Sequence, residues 1–192
     1  MREQTVRTRQ WTRFEYERLI ETGFFQAGDK VELISGQLMV AEPQGSRHAA
    51  TVSLVADALR AAFGGGWYVM TQLPVALDDE SEPEPDVAVV RGAAREYGDA
   101  HPSRPVLVVE VADSSVALDR EYKASLYARA GVPDCWIVGI EEGIVEVYRQ
   151  PVLSSDAPYG WHYAEMQRLG PGASVAPVAS PSASIPVADL LL

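Results

Sequence analysis

The chain has 192 residues, 47% of them apolar and 22% charged, and carries a formal net charge of −11. That length suits one domain, spanning 1–192, with a proper core, and the excess of acid works against sequence-independent binding to nucleic acid, which depends on Lys and Arg neutralising phosphates. A lone cysteine, Cys135, excludes an internal disulfide and fits a reducing compartment; with no apolar stretch after the charged start and no apolar run near ~18 residues, a soluble cytoplasmic protein is expected.

In chain order, WTRFEYERLIETG predicts a first helix over 11–22. Thr12 and Glu15 have the spacing of a capping box, Phe14, Leu19 and Ile20 suit a buried stripe, and Gly23 suits the position just past the end. VELISGQLMV reads as a hairpin of two short strands turning at Ser35-Gly36. SRHAATVSLVADALRAAFGGG is a second helix, capped by Ser46 and stopped by glycines, with Val52, Val55, Leu59 and Phe63 spaced by three or four. WYVMTQLPVAL is a strand. The acidic loop DDESEPE separates it from a strand over 85–90, and Arg91–Arg104 is loop-like. PVLVVEVA is nearly continuously apolar, as where both faces of a sheet are covered. Asp119 is placed to cap a helix, REYKASLYARA, that Gly131 ends. DCWIVGI and IVEVYR are strands around the turn EEG, WHYAEMQRL is one more, and the tail from about 170 is irregular. Mixed helices and strands without an internal repeat indicate an α/β (α+β) layer arrangement around one sheet.

Against this background four polar groups stand out: Glu32, Asp86, Glu110 and Lys123. An ionised carboxylate inside an apolar strand is costly unless paired, hydrogen-bonded or on a metal. Alternation in VLVVEVA puts Leu107 and Val109 on one face, and Val108, Glu110 and Ala112 on the other, so Glu110 shares a face with a residue that should be buried. By pattern alone, a salt-bridged structural role and a functional one stand level. The chain has 14 arginines but only two lysines, Lys30 and Lys123, and a lysine on the helix after the Glu110 strand could turn back to that carboxylate. Asp on one strand, Glu on the next and a lysine nearby suit metal-assisted hydrolysis of a phosphodiester, with Mg²⁺ (or Mn²⁺) as the hard cation.

These residues also carry a resemblance. VELISGQL, EPDVAVV, LVVEVADSS and DREYKASLYARAGVPDCWIV, in that order over about Val31 to Arg149, resemble the sequential blocks of the Uma-two family, which is assigned to the PD-(D/E)XK superfamily of nucleases. The resemblance implies a restriction-endonuclease-like fold, a central mixed β-sheet flanked by helices. It implies Asp86 and Glu110 as metal ligands and Glu32 as the upstream acidic residue. The superfamily signature expects a lysine two positions after the Glu, where this chain has Ala112; the resemblance therefore implies a lysine displaced to the following helix, Lys123.

His48, in the block SRH, and Gln72, before the acidic loop, are candidates for the periphery of such a site, each with an ordinary structural role as its alternative. Tyr127 and Trp136 read as core. FGGGW lacks the Lys-Ser/Thr of a phosphate loop, and Ser114-Ser115 lacks a nucleophile elbow. The leading reading is a Mg²⁺-dependent endonuclease acting on DNA, held as a homodimer so that two sites can cut both strands, with arginines at 2–18 and 91–104 as basic patches. The alternatives are a non-catalytic protein of the same fold that binds nucleic acid or a protein partner, and a hydrolase of another phosphoester. Close approach of Asp86 and Glu110 is expected to raise at least one of their pKa values in the absence of a cation.

Overall fold

The computed structural model describes residues 8–26, 28–40, 44–112 and 119–192. The first helix, α1 (Arg13–Glu21), has the expected capping box between Thr12 and Glu15, and Gly23 follows it at φ +67°. The expected apolar stripe is corrected: Phe14 and Ile20 are exposed, and Tyr16 alone is buried, donating its hydroxyl to the carbonyl of Val31. Tyr16 thus anchors the helix to the strand that contains Val31, and the Arg13 amide ties its first turn to the carbonyl of Asp79.

That strand is β1 (Val31–Ile34), paired with β2 (Gln37–Val40) through the turn at Ser35 and Gly36, both at positive φ. Helix α2 (Ser46–Phe63) begins one residue earlier than a Ser46 cap would allow; Gly45 occupies the cap position without a side-chain bond.

A six-stranded sheet follows, in the order β3 (Trp67–Thr71), β4 (Val87–Arg91), β5 (Leu107–Ala112), β6 (Asp134–Gly139), β7 (Ile144–Leu153) and β8 (Trp161–Leu169). All neighbours are antiparallel except β5 and β6, whose parallel pairing requires the crossover containing α3 (Ala124–Arg129). This is the mixed, helix-flanked sheet of a restriction-endonuclease-like α+β fold.

Every residue of β5 and β6 is buried because the two faces have separate covers. Val52, Val55, Leu59 and Phe63 of α2 pack on Val87, Val89, Val109 and Val111. Tyr127 and Ala128 of α3 pack on Ala88, Val108 and Cys135 from the other side. The tail is not loose. A two-residue pairing of β9 (Ser174–Val175) with β10 (Ile185–Pro186) and a 3₁₀ turn over Val187–Leu190 bring Val175, Ile185, Val187 and Leu190 into the α2-side core. No described helix is long and apolar enough to cross a membrane.

Candidate functional site

The ladder between β4 and β5 pairs Val87 with Val109 and Ala88 with Val108. Asp86 lies just before β4, one residue ahead of Val87, and Glu110 lies one residue past Val109 on β5, so both sit at the same end of this strand pair. Both carboxylates are nearly inaccessible, at 6% and 2% exposure.

Asp86 sits where the chain bends into β4, and its carboxylate takes the place of the next ladder bond. The Val111 amide donates to Oδ2 at 2.8 Å. His48, in the first turn of α2, places Nε2 3.1 Å from the same oxygen. Gln72, directly after β3 and at φ +50°, donates Nε2 to Oδ1 at 3.2 Å, and Gln44 reaches that oxygen at 3.4 Å. The two glutamines also bond each other. Burial is the largest single influence on the Asp86 carboxyl and would raise its pKa, but the His48 contact, the Val111 amide and Gln72 together hold it below its ordinary value. Expected repulsion from Glu110 therefore does not govern Asp86; its own donors do.

Glu110 is held from α3 and the turn before it. Lys123 Nζ donates to Oε2 at 3.2 Å, and the Tyr127 hydroxyl donates to Oε1. Tyr127 is fully buried; burial first, then the neighbouring Glu110 charge, pushes its pKa well above the usual phenol value. The charge of Glu32, buried in β1, acts on the same phenol, so the hairpin contributes its carboxylate to this neighbourhood.

Sequence reasoning passed over Gln44, the Val111 amide and the polar role of Tyr127. Only the last left a signal: Lys123 and Tyr127 are four apart, the spacing of neighbours on one helix face. The expected Asp119 cap is corrected, because a π-helical turn over Asp119–Lys123 precedes α3 in place of an N-capped start. Such turns recur at functional sites.

The arginines over 91–104 lie away from these carboxylates. Arg91 ends β4 five residues from Asp86, about 16 Å at ~3.3 Å per residue, so the exposed Arg91, Arg95 and Arg104 lie toward the opposite end of these strands. Arg9, Arg13 and Arg18 are ion-paired to Glu15, Glu17 and Glu21. Arg2 and Arg7, with Ser114 and Ser115, lie outside the described residues. Among the described residues no three His, Cys, Asp or Glu side chains gather as a ready-made metal site.

Comparison with known proteins gives one family. The Uma2 family, described as "Putative restriction endonuclease", matches residues 14–188. No curated protein matches the chain. Among solved structures, the crystal structure of a "putative nuclease belonging to DUF820" from Anabaena variabilis ATCC 29413 is similar, with a TM-score of 0.61 over 83% of this chain and 88% of that one, at 17% identity. At that identity the likeness is one of fold.

Proposed function

The chain belongs to the Uma2 family, and from that membership we propose that it is a divalent-metal-dependent endonuclease that hydrolyses DNA phosphodiester bonds. The observation that supports this reading is the burial of Asp86 and Glu110 at the same end of the neighbouring strands β4 and β5, with Lys123 on Glu110. Hard carboxylate oxygens fit Mg²⁺ or Mn²⁺, and Mg²⁺ ordinarily keeps several waters and takes only one or two protein carboxylates. The donor set here, two buried carboxylates, fits that habit. Asp86 and Glu110 would hold the ion, which when bound offsets charge developing on the phosphate and lowers the pKa of a bound water.

The chain's own groups have separable tasks. His48, Gln72, Gln44 and the Val111 amide fix the Asp86 carboxylate and keep it ionised. Tyr127 fixes Oε1 of Glu110. Lys123, with one-fifth of its side chain exposed, offsets the Glu110 charge and can offer an N–H of its ammonium to a phosphate oxygen or an attacking water. Glu32 supplies further negative charge beside Tyr127. Exposed Arg47, next to His48 in the first turn of α2, could meet a phosphate backbone. A homodimer would supply one site per strand, and a reducing, cytoplasmic setting would keep the buried thiol of Cys135 reduced.

The test is incubation of the protein with supercoiled plasmid and short duplexes in Mg²⁺, Mn²⁺ or Ca²⁺, with Asp86→Ala as control. Cleavage in Mg²⁺ or Mn²⁺, lost in Asp86→Ala, is the expected result; no cleavage in any metal by the wild type returns the protein to a non-catalytic binding role.

A further inference from the structure

Register partners share a face, and one row of partners crosses the sheet at the level of the site. Glu110 pairs with Ile137, Ile137 with Glu146, and Glu146 with Arg168. Glu146 of β7 thus lies on the same face as Glu110, two strand spacings away, about 10 Å, with buried Ile137 between them. It is only 3% exposed and well supplied with donors: Arg120 Nε at 2.6 Å, the Tyr148 hydroxyl at 2.9 Å and Arg168 Nε at 3.2 Å. Arg120 also forks to Glu142. The hydrogen bond to Glu146 is the largest cause of the raised pKa of Arg120, as expected of a tightly held pair.

The π turn over Asp119–Lys123 is therefore pinned at two points of that row. Arg120, near its start, is fixed on Glu146, and Lys123, at its end, is fixed on Glu110. A π turn is a local departure from α winding that persists where surrounding contacts impose it. Relaxed to α geometry, the turn would shed its extra residue and carry Lys123 around the axis by roughly 100°, one residue's share of a turn. Resting on the nuclease reading above, we infer that Glu146 and Arg120 are positioning residues that hold the π turn so that Lys123 reaches Glu110.

Two lysines in the whole chain make this directly observable. Protein labelled with ¹³C at the lysine ε-carbons gives two signals, and Lys30→Arg assigns them. In the wild type the Lys123 signal should stand apart from that of exposed Lys30. In Glu146→Gln and in Arg120→Gln, at the same pH and with unchanged far-ultraviolet circular dichroism, it should move onto the solvated position. Should Glu146→Gln fail to fold, Arg120→Gln decides, since that side chain is 30% exposed. Retention of the wild-type Lys123 signal in a folded variant overturns the inference. In the cleavage assay each variant should lose about 10²-fold, the scale of a misplaced catalytic group. Glu146→Gln with Lys123→Ala should be no slower than Lys123→Ala alone; additive losses would mark a merely structural role. If the wild type does not cleave, the nuclease reading fails while the lysine spectrum still decides the clamp.

Discussion

Two Pro-Asp pairs open strands in this protein, Pro85-Asp86 before β4 and Pro133-Asp134 at the start of β6, and both aspartates are buried. Their surroundings could hardly differ more. Asp134 is locked by a guanidinium, with Arg149 Nε at 3.0 Å, and takes the Trp136 indole N–H at 2.8 Å and the Val178 amide at 2.9 Å. It binds the C-terminal segment to the sheet, with Arg149 also donating to the carbonyl of Ala176. Asp86 has amides and an imidazole around it, and Glu110 lies at the same end of the neighbouring strand. The same dipeptide serves as a staple in one place and as a ligand candidate in the other. A carboxylate locked by a fixed guanidinium has little left to offer a cation, whereas Asp86 is held by amides and an imidazole, with no guanidinium among its donors.

The comparison breaks most visibly in catalysis. Asp86→Ala and Glu110→Ala should each lower DNA cleavage by about 10³-fold or more, while Asp134→Asn leaves the rate of its folded fraction unchanged. Mg²⁺ or Mn²⁺ should raise the melting temperature of wild type and Asp134→Asn by mass action and leave that of Asp86→Asn unmoved. An equal metal response in Asp86→Asn would place the cation elsewhere.

Stability should rank the pair the other way. Asp134→Ala strands Arg149 and two N–H donors and should cost about 3–5 kcal/mol, which is about 10 °C of melting temperature for a chain of this size. Asp86→Asn, which keeps an acceptor for the Val111 amide, should cost about 1–2 kcal/mol. Urea denaturation of both variants measures the difference; equal losses would make Asp86 a staple too.

On the Glu110 side, Tyr127→Phe keeps the packing and removes one bond to a charged acceptor, about 1.5–3 kcal/mol, with a smaller loss of cleavage than Glu110→Ala. Lys123→Arg should not restore the rate lost in Lys123→Ala, because a planar guanidinium cannot replace a compact ammonium. Full activity in Lys123→Ala would remove the lysine from the mechanism.

The smallest effects lie in the pH dependence of stability. Asp86, with a lowered folded pKa, contributes stability above its unfolded value that is lost as pH falls through the folded one. Asp134 has the opposite sign: burial outweighs Arg149 and raises its pKa, so its contribution is present at low pH and fades as pH rises. Glu82, at 1% exposure, follows Asp134. Burial first, then the Glu17 charge, pushes its carboxyl up to about 7 from 4.5. Stability should therefore decline between pH 4.5 and 7, and Glu82→Gln should flatten that decline in a series of melting curves. A decline unchanged in Glu82→Gln would assign it to another group.

Local pattern determined much of this protein. The capping box of α1, the Ser35-Gly36 turn, the three-to-four spacing of α2 and the alternation that turns Glu110 toward Val108 all depend on contacts a few residues long, which sequence spacing records directly. The block resemblance added the family and pointed to Asp86, Glu110, Lys123 and Glu32. Tertiary structure alone decided the partners. That Gln44 and Gln72 meet on Asp86, that Glu146 fixes the turn carrying Lys123, and that the 170–190 tail enters the core through Val175 and Leu190 are consequences of strand order and register. Residues 14 to 42 positions apart come into hydrogen-bond range there, as Gln72 and Gln44 do with Asp86, and no local periodicity encodes such a meeting. The two Pro-Asp pairs make the reason concrete: the dipeptide places a carboxylate at a strand's mouth, and only the neighbouring strands and helices determine whether a guanidinium or an imidazole with amides meets it.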